Sequence, residues 1–373
     1  MHHSGCPAIR IRSMAIPIAS SSRPDSLVLI QRRPGSKSAP GARPGTWAKR
    51  LITNAARHVK ENELFFPAIV RGFRALQRLG INLTPNHFYW PVPDVEELSQ
   101  REWPIYANPP GCDFRLRDQV ELARHFSKRY IPELHWNSRP ASDTYHYNNG
   151  YFESCDAEVA YSMVREWKPR RIIEIGSGFS TRAMAHALRA NREHDGVAGE
   201  LITVDPSPER LPENGLGDSI TVVVDHVQRI DISVFEQLRA DDILFIDSSH
   251  VVSVGSDVVR EYLQILPRLK PGVLVHVHDI FLPSDYPRTA VLDNLWFWSE
   301  QYLLQAFLSF NPEFEVLWSA SAMQLSHARV LEQCFPNWSN SYANIPPSKR
   351  RFIPTPDGRR VWPSSFWMRR LTH

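Results

Sequence analysis

Residues 170–181 read RRIIEIGSGFST, a run of β-branched residues that breaks at two glycines and is followed by a helical pattern. The isoleucines suit a strand of a parallel sheet that is covered on both faces. Gly176 and Gly178 allow a tight turn in which the backbone can approach a ligand closely. Ser180 or Thr181 is then predicted to cap the following helix. The pattern therefore predicts a nucleotide-sized cradle between a strand and a helix.

Further apolar runs end in polar residues in the same way, with helical segments between most of them. They cover residues 201–205, 220–226, 243–247 and 273–279. Residues 314–318 and 364–368 are predicted to add a sixth strand and an antiparallel seventh. We therefore predict an α/β fold, a doubly wound and mostly parallel seven-stranded sheet of Rossmann-like type. Its ligands should lie beyond the carboxyl ends of the strands.

Within residues 145–325, the chain resembles the class I S-adenosylmethionine-dependent methyltransferases. Their first motif is an acidic residue followed by Gly-x-Gly at a strand end, and Glu174 to Gly178 fit it. A carboxylate at Glu174 would suit a ligand that carries an ammonium group. The resemblance implies that Asp205 binds the ribose hydroxyls and that the next strand end touches the adenine. The expected cofactor-binding residues are Glu174, Gly176, Ser177, Gly178, Asp205, Asp225 and His226.

The chemistry is expected at the next two strand ends, where Asp247-Ser-Ser-His250 and His278-Asp279 stand. They resemble the metal-dependent O-methyltransferases of antibiotic sugars, macrolides and catechols. That resemblance implies Asp247, His278 and Asp279 as ligands of a divalent metal, Mg or Mn, and His250 as the base. His278 departs from the pattern, because an oxygen ligand is usual there and imidazole suits softer metals.

Two versions of the chemistry stay open at this point. One has a softer metal, and the other has no metal, with His250 and His278 as acid and base. The expected catalytic residues are His250, His278 and Asp247. A simpler interpretation is that the acidic strand ends only cap helices.

The function predicted from these features is S-adenosylmethionine-dependent O-methylation of a hydroxylated acceptor, such as a sugar or glycan intermediate. An NAD-dependent oxidoreductase is the first alternative. Thr181 stands against it, because dinucleotide-binding turns place a third glycine there, and so does the lack of a Tyr-x-x-x-Lys pair. A non-catalytic scaffold that retains the cofactor fold is the second alternative. The presence of both His250 and Asp279 at strand ends argues against a non-catalytic protein.

The charges divide the chain unevenly. Residues 1–60 hold 11 of the 43 Lys and Arg residues but only one of the 40 acids. They have no apolar periodicity, and three interpretations stay open for them: a transit peptide, a disordered extension, or sequence upstream of a later start at Met14. The predicted organisation is a disordered basic extension over 1–60, a helical and aromatic lead-in with a lid over 61–150, the cofactor-binding core over 151–325, and a C-terminal extension over 326–373 that completes the sheet.

Composition also narrows the partners and the location. Beyond residue 60 acids outnumber Lys and Arg, so a nucleic-acid partner is not indicated, and a small-molecule or glycan acceptor is expected. No stretch of about 18 apolar residues predicts a membrane span. The four cysteines stand far apart without paired spacing, so a disulfide framework is not expected and the protein is predicted to be cytoplasmic.

Overall fold

The computed structural model describes residues 66–84, 86, 89–103, 109–138, 144–212, 219–338 and 363–371. The basic extension predicted over residues 1–60 lies outside these residues. Helix α1, Phe66–Arg78, belongs to a unit that spans residues 1–83, and residues 84–373 form a second, compact unit. All remaining elements belong to that second unit.

The second unit is built on a seven-stranded sheet with the order β3-β2-β1-β4-β5-β7-β6. Strands β1 to β5 are parallel, and β7 lies antiparallel between β5 and β6. The predicted fold class is therefore confirmed, including the antiparallel seventh strand. The strands are β1 Arg171–Ile175, β2 Glu200–Val204, β3 Ile220–Val223, β4 Ile243–Ile246, β5 Leu274–Val277, β6 Phe314–Ser319 and β7 Phe366–Arg370.

Helices connect the strands and cover the sheet. The segment that follows β4 changes from an α-helix to a π-turn over Glu261–Ile265 and a 3₁₀ turn over Leu266–Arg268. The α-helices are α2 Val95–Ser99, α3 Leu116–Arg129, α4 Asp156–Trp167, α5 Phe179–Asp195, α6 Ile232–Glu236, α7 Asp257–Arg260, α8 Arg288–Leu292, α9 Glu300–Leu308 and α10 Ala320–Cys334.

The apolar residues of the central strands are buried on both faces of the sheet. Neighbouring residues along a strand belong to different clusters: Ile172 and Phe245 pack on one side, and Ile173 and Leu244 on the other. This alternation follows from the two-residue period of a strand. Because the core fixes the central strands from both sides, the loops at their carboxyl ends are held by a rigid base.

Candidate active site

A cavity of about 620 Å³ opens at the carboxyl ends of the parallel strands. That volume lies in the range of small-molecule sites. Gly150, the last residue of the predicted lead-in and lid, also lines it, together with Tyr151 and Phe152, which follow it. Of the predicted site residues, those that line the cavity are Gly176, Ser177, Gly178, Asp205, His226, Asp247, His250, His278 and Asp279. Within the described part of the chain, Glu174 and Asp225 are not among the lining residues.

The turn after β1 passes very close to the tip of β4. Gly176 has a φ of +88°, and a Cβ placed on it would lie 2.0 Å from the backbone oxygen of Asp247. A hydrogen bond joins the ends of β1 and β4 next to this turn: the Asp247 amide donates to the Ile175 carbonyl at 2.8 Å. A side chain at position 176 is therefore excluded by both the conformation and the space.

Glu174 lies beneath this turn instead of facing the cavity. It is fully buried, and the hydroxyls of Ser180 and Thr181 each donate to one of its oxygens at 2.7 Å. Burial raises the pKa of Glu174 to about 8, although these hydrogen bonds act in the opposite direction. Thr181 Oγ1 also accepts from the Gly178 amide at 2.9 Å. Both hydroxyls thus tie the start of α5 to the strand.

The tip of β2 presents a carboxylate to the cavity. Asp205 Oδ2 accepts from the Ser177 hydroxyl at 2.6 Å, and its Oδ1 accepts from the Ser207 amide at 2.8 Å. The tip of β3 is arranged differently. Asp225 Oδ1 accepts from the His226 amide at 2.7 Å and from Arg229 at 3.0 Å. His226, but not Asp225, is among the residues that line the cavity.

The tips of β4 and β5 form a compact cluster of acids and imidazoles. His250 Nε2 lies 3.5 Å from Asp247 Oδ1 and 3.4 Å from Asp279 Oδ2. One ligand atom from each of these three residues lies within 4.8 Å of the others. His278 Nδ1 approaches the same carboxylates, at 3.5 Å from Asp247 and 3.6 Å from Asp279. His250 and Asp279 have φ angles of 61° and 55°, which are uncommon for residues with a side chain.

The charges of this cluster depend on one another. Burial alone would raise the pKa of Asp247, but His278 and His250 together hold it well below its usual range. Burial alone would lower the pKa of His250, but its bonds with Asp247 and Glu300 raise it well above its usual value. The pKa of His278 is raised as well, since Asp279 and Asp247 outweigh its burial. Two imidazolium groups can therefore balance the carboxylates.

Sequence reasoning did not identify three partners of these histidines. Glu300, fully buried at the start of α9, lies 2.8 Å from His250 Nδ1 through its Oε2 atom. Asp156 Oδ2 lies 3.7 Å from His278 Nε2. The Ser364 hydroxyl lies 3.4 Å from His278 Nε2 and donates to Asp279 Oδ1 at 3.1 Å. The sequence does contain a signal for Glu300, which is the single acid in the apolar stretch 296–308. An acid that is buried with its apolar neighbours requires a partner.

Residues 173–280 match the family model described as a methyltransferase domain. An uncharacterized protein of Archaeoglobus fulgidus is 27% identical in an alignment of 181 residues that covers 46% of this chain and 80% of that protein. Two solved structures are also similar. The SAH-bound Podospora anserina methyltransferase PaMTH1 has 16% identity and a TM-score of 0.33, over 64% of this chain and 93% of that one. The O-methyltransferase from Bacillus cereus in complex with SAH has 16% identity and a TM-score of 0.28, over 53% and 81%.

The described part of the chain has no helix long and apolar enough to cross a membrane. The family match runs from β1 to the residue after Asp279. It therefore includes the glycine turn and every predicted cofactor-binding and metal-binding residue. Residues 173–280 thus form a methyltransferase domain, and the methyltransferase predicted from the glycine turn is confirmed.

Proposed function

We propose that this protein transfers a methyl group from S-adenosylmethionine to an oxygen atom of a hydroxylated small molecule, such as a sugar or glycan intermediate. One observation carries the proposal. The acid and imidazole atoms of Asp247, His250 and Asp279 converge within 4.8 Å in the same cavity as the glycine turn. A cofactor on the turn and an acceptor at the cluster would therefore share one enclosure.

The cofactor side fits S-adenosylmethionine, which supplies an electrophilic methyl group when it is bound. The turn at Gly176 leaves backbone, not side chain, against the cavity. Asp205 presents a carboxylate that can accept hydrogen bonds from a vicinal diol, and Ser177 fixes its orientation. We assign His226 to the adenine end, since it lines the cavity where Asp225 does not. Glu174 supports the turn from below.

The acceptor side fits a divalent cation held by Asp247, His250 and Asp279. When bound there, such a cation would lower the pKa of an acceptor hydroxyl. Glu300 holds His250 Nδ1 and leaves Nε2 directed at the two carboxylates, as is usual for a metal-binding imidazole. An imidazole in the set favours Mn²⁺ or Zn²⁺ over Mg²⁺. This assignment makes His250 a ligand, whereas the sequence resemblance implies His278.

His278 then takes the role of general base. Its Nδ1 atom faces Asp247 and Asp279, and its Nε2 atom faces Asp156. His278 must be neutral before it can accept the proton that leaves the acceptor hydroxyl, and a cation that offsets the charge of Asp247 and Asp279 would favour that neutral form. Asp156, at its Nε2 atom, would then stabilise the imidazolium that forms. The methyl carbon exchanges its bond to sulfur for a bond to oxygen, and the hydroxyl proton ends on His278. No other proton carrier is needed.

Calorimetric titrations test the proposal. The full chain should bind S-adenosylhomocysteine with saturable heat and should give no such heat with NAD. Mn²⁺ should bind the wild type and His278→Ala, but not His250→Ala. Saturable binding of NAD without S-adenosylhomocysteine would overturn the methyltransferase function. Loss of Mn²⁺ binding in His278→Ala and not in His250→Ala would reverse the two histidine roles.

A cytoplasmic location belongs to the same proposal. The described cysteines Cys112, Cys155 and Cys334 are free thiols, and thiols stay reduced in the cytosol. Fractionation of cells that produce the full chain should place it with the cytosolic proteins. Recovery in an oxidising compartment would contradict this part of the proposal.

A further inference from the structure

Two tryptophans of the segment between α8 and α9 line the active-site cavity. Trp296 and Trp298 are stacked, with ring centroids 4.8 Å apart and an interplanar angle of 20°. Both are partly exposed, whereas Trp318, Trp338 and Trp367 are fully buried in the core. The apolar character of residues 291–309 predicts that most of its aromatic residues belong to the core. These two instead form a wall of the site, called here the indole wall.

The indole wall is fixed to the tip of β4. The amides of Ser299 and Glu300 donate to the His250 carbonyl at 2.8 and 3.1 Å. The Val252 amide donates to the Ser299 hydroxyl at 2.8 Å. The ring of Trp298 lies 4.8 Å from the His250 ring. The segment that supplies the wall is therefore held in register with the metal-binding residues.

A second aromatic ring flanks the cluster from another part of the chain. Phe152, from the segment before α4, lies 5.2 Å from the His278 ring. Aromatic rings thus stand beside both histidines, next to the carboxylates of Asp247 and Asp279. Apolar faces beside a few converging polar groups are typical of sites that bind a flat ring and orient its polar substituents.

We propose that Trp296 and Trp298 form the acceptor platform, on which a six-membered ring stacks while two neighbouring hydroxyls reach Asp247 and Asp279. This inference rests on the proposed function and adds the residues that select the acceptor. A pyranose ring and a catechol share the required chemistry, because each combines a flat apolar face with vicinal hydroxyls. Aromatic stacking contributes modestly per ring, so the platform gives selectivity more than strong affinity.

The experiment uses saturation-transfer NMR on the full chain with bound S-adenosylhomocysteine and Zn²⁺. The probes are methyl β-D-glucopyranoside and catechol, and phenol is the analogue that lacks the second hydroxyl. At least one of the two diol probes should bind. If catechol binds, it should bind more tightly than phenol. Trp296→Leu and Trp298→Leu should each weaken that binding by about three- to tenfold. Trp90→Leu, which changes a tryptophan outside the cavity lining, should leave it unchanged.

The affinity for S-adenosylhomocysteine separates this inference from the proposed function. It should stay within about twofold in all three variants, because the platform serves the acceptor. If the wild type binds S-adenosylhomocysteine but neither diol probe, the platform is wrong and the methyltransferase function stands. Unchanged probe binding in both Trp296→Leu and Trp298→Leu also overturns it. Binding of the pyranoside alone identifies the ring as a sugar, and binding of catechol alone identifies it as a phenol; both results support the platform.

Discussion

The two halves of the cavity are built in different ways. On the side of β1 and β2, the important contacts are mostly local: Glu174 is held by Ser180 and Thr181, and Asp205 by the Ser207 amide two residues later. On the side of β4 and β5, the histidines depend on residues far along the chain, such as Glu300. The contacts that stabilise the turn form within short segments of the chain. The charged cluster forms only when the whole fold brings its residues together.

The halves also differ in charge. Glu174 is fully buried and has its pKa raised to about 8, so this carboxyl is mostly neutral at pH 7. Asp247 keeps a third of its side chain exposed, and its pKa is held well below the usual range. The turn half therefore presents backbone and hydroxyl groups and the carboxylate of Asp205 to a ligand. The tip half presents carboxylates and imidazoles that can hold a cation or a proton.

The largest effect is expected from Gly176→Ala. Its Cβ would lie 2.0 Å from the Asp247 backbone oxygen, so the turn or the β4 tip must move. We expect loss of S-adenosylhomocysteine binding and a decrease of more than about 3 kcal/mol in the free energy of unfolding. Gly255→Ala is the matched control, because Gly255 has a φ of +76° with nothing within 4 Å. Gly255→Ala should lower the free energy of unfolding by about 1–2 kcal/mol, because of the backbone conformation alone. Denaturant unfolding and calorimetry would show equal effects in both variants if the close contact did not matter.

Glu174→Gln should change how stability depends on pH. The pKa of this buried carboxyl is raised from 4.5 to about 8 on folding. Its contribution to stability is therefore complete below about pH 4.5 and is lost as the pH rises to about 8. Between those values, the wild type should lose stability relative to Glu174→Gln by on the order of 1 kcal/mol per pH unit. Urea unfolding at pH 5, 6.5 and 8 measures this difference. Parallel curves for the two proteins would show that Glu174 is not buried as described.

Glu300→Gln should weaken the cation site without affecting the turn half. Glu300 contacts His250 Nδ1 at 2.8 Å, and loss of such a partner typically costs 10- to 100-fold in metal affinity. Mn²⁺ titration measures that loss, and S-adenosylhomocysteine affinity should stay the same. Glu121→Gln, at an exposed position of α3, is the control and should bind Mn²⁺ as the wild type does. Equal Mn²⁺ affinity in all three proteins would show that Glu300 does not support the cation site.

The smallest effect is expected from Asp225→Ala, at a position that the resemblance implies is near the adenine. Its carboxylate accepts from the His226 amide and from Arg229, on the exposed side of the β3 tip. Exposed ion pairs contribute little, because water and salt screen the two charges. S-adenosylhomocysteine affinity should therefore change by less than about threefold in calorimetry. A tenfold loss would place Asp225 in the cofactor site after all.

The sequence predicts the sheet well because its strands are short apolar runs with polar ends, and each end is visible in the chain. Gly176 and Asp205 follow from the same local pattern. The positions of Glu174 and of the histidine partners do not. Nothing adjacent to Glu174 shows that Ser180 and Thr181 turn back onto it. Glu300 is 50 residues from His250, and only tertiary packing brings the two together.

The most direct test of the divided site is a crossed titration of two variants with two ligands. Asp205→Asn removes a carboxylate from the turn half, and His250→Ala removes an imidazole from the tip half. Asp205→Asn should lose S-adenosylhomocysteine binding by more than about tenfold, the loss expected when a charged hydrogen-bond partner is removed, and should keep Mn²⁺ binding. His250→Ala should lose Mn²⁺ binding and keep S-adenosylhomocysteine. If each variant lost both ligands, or if the two losses were exchanged, the division of the cavity into a cofactor half and a cation half would be wrong.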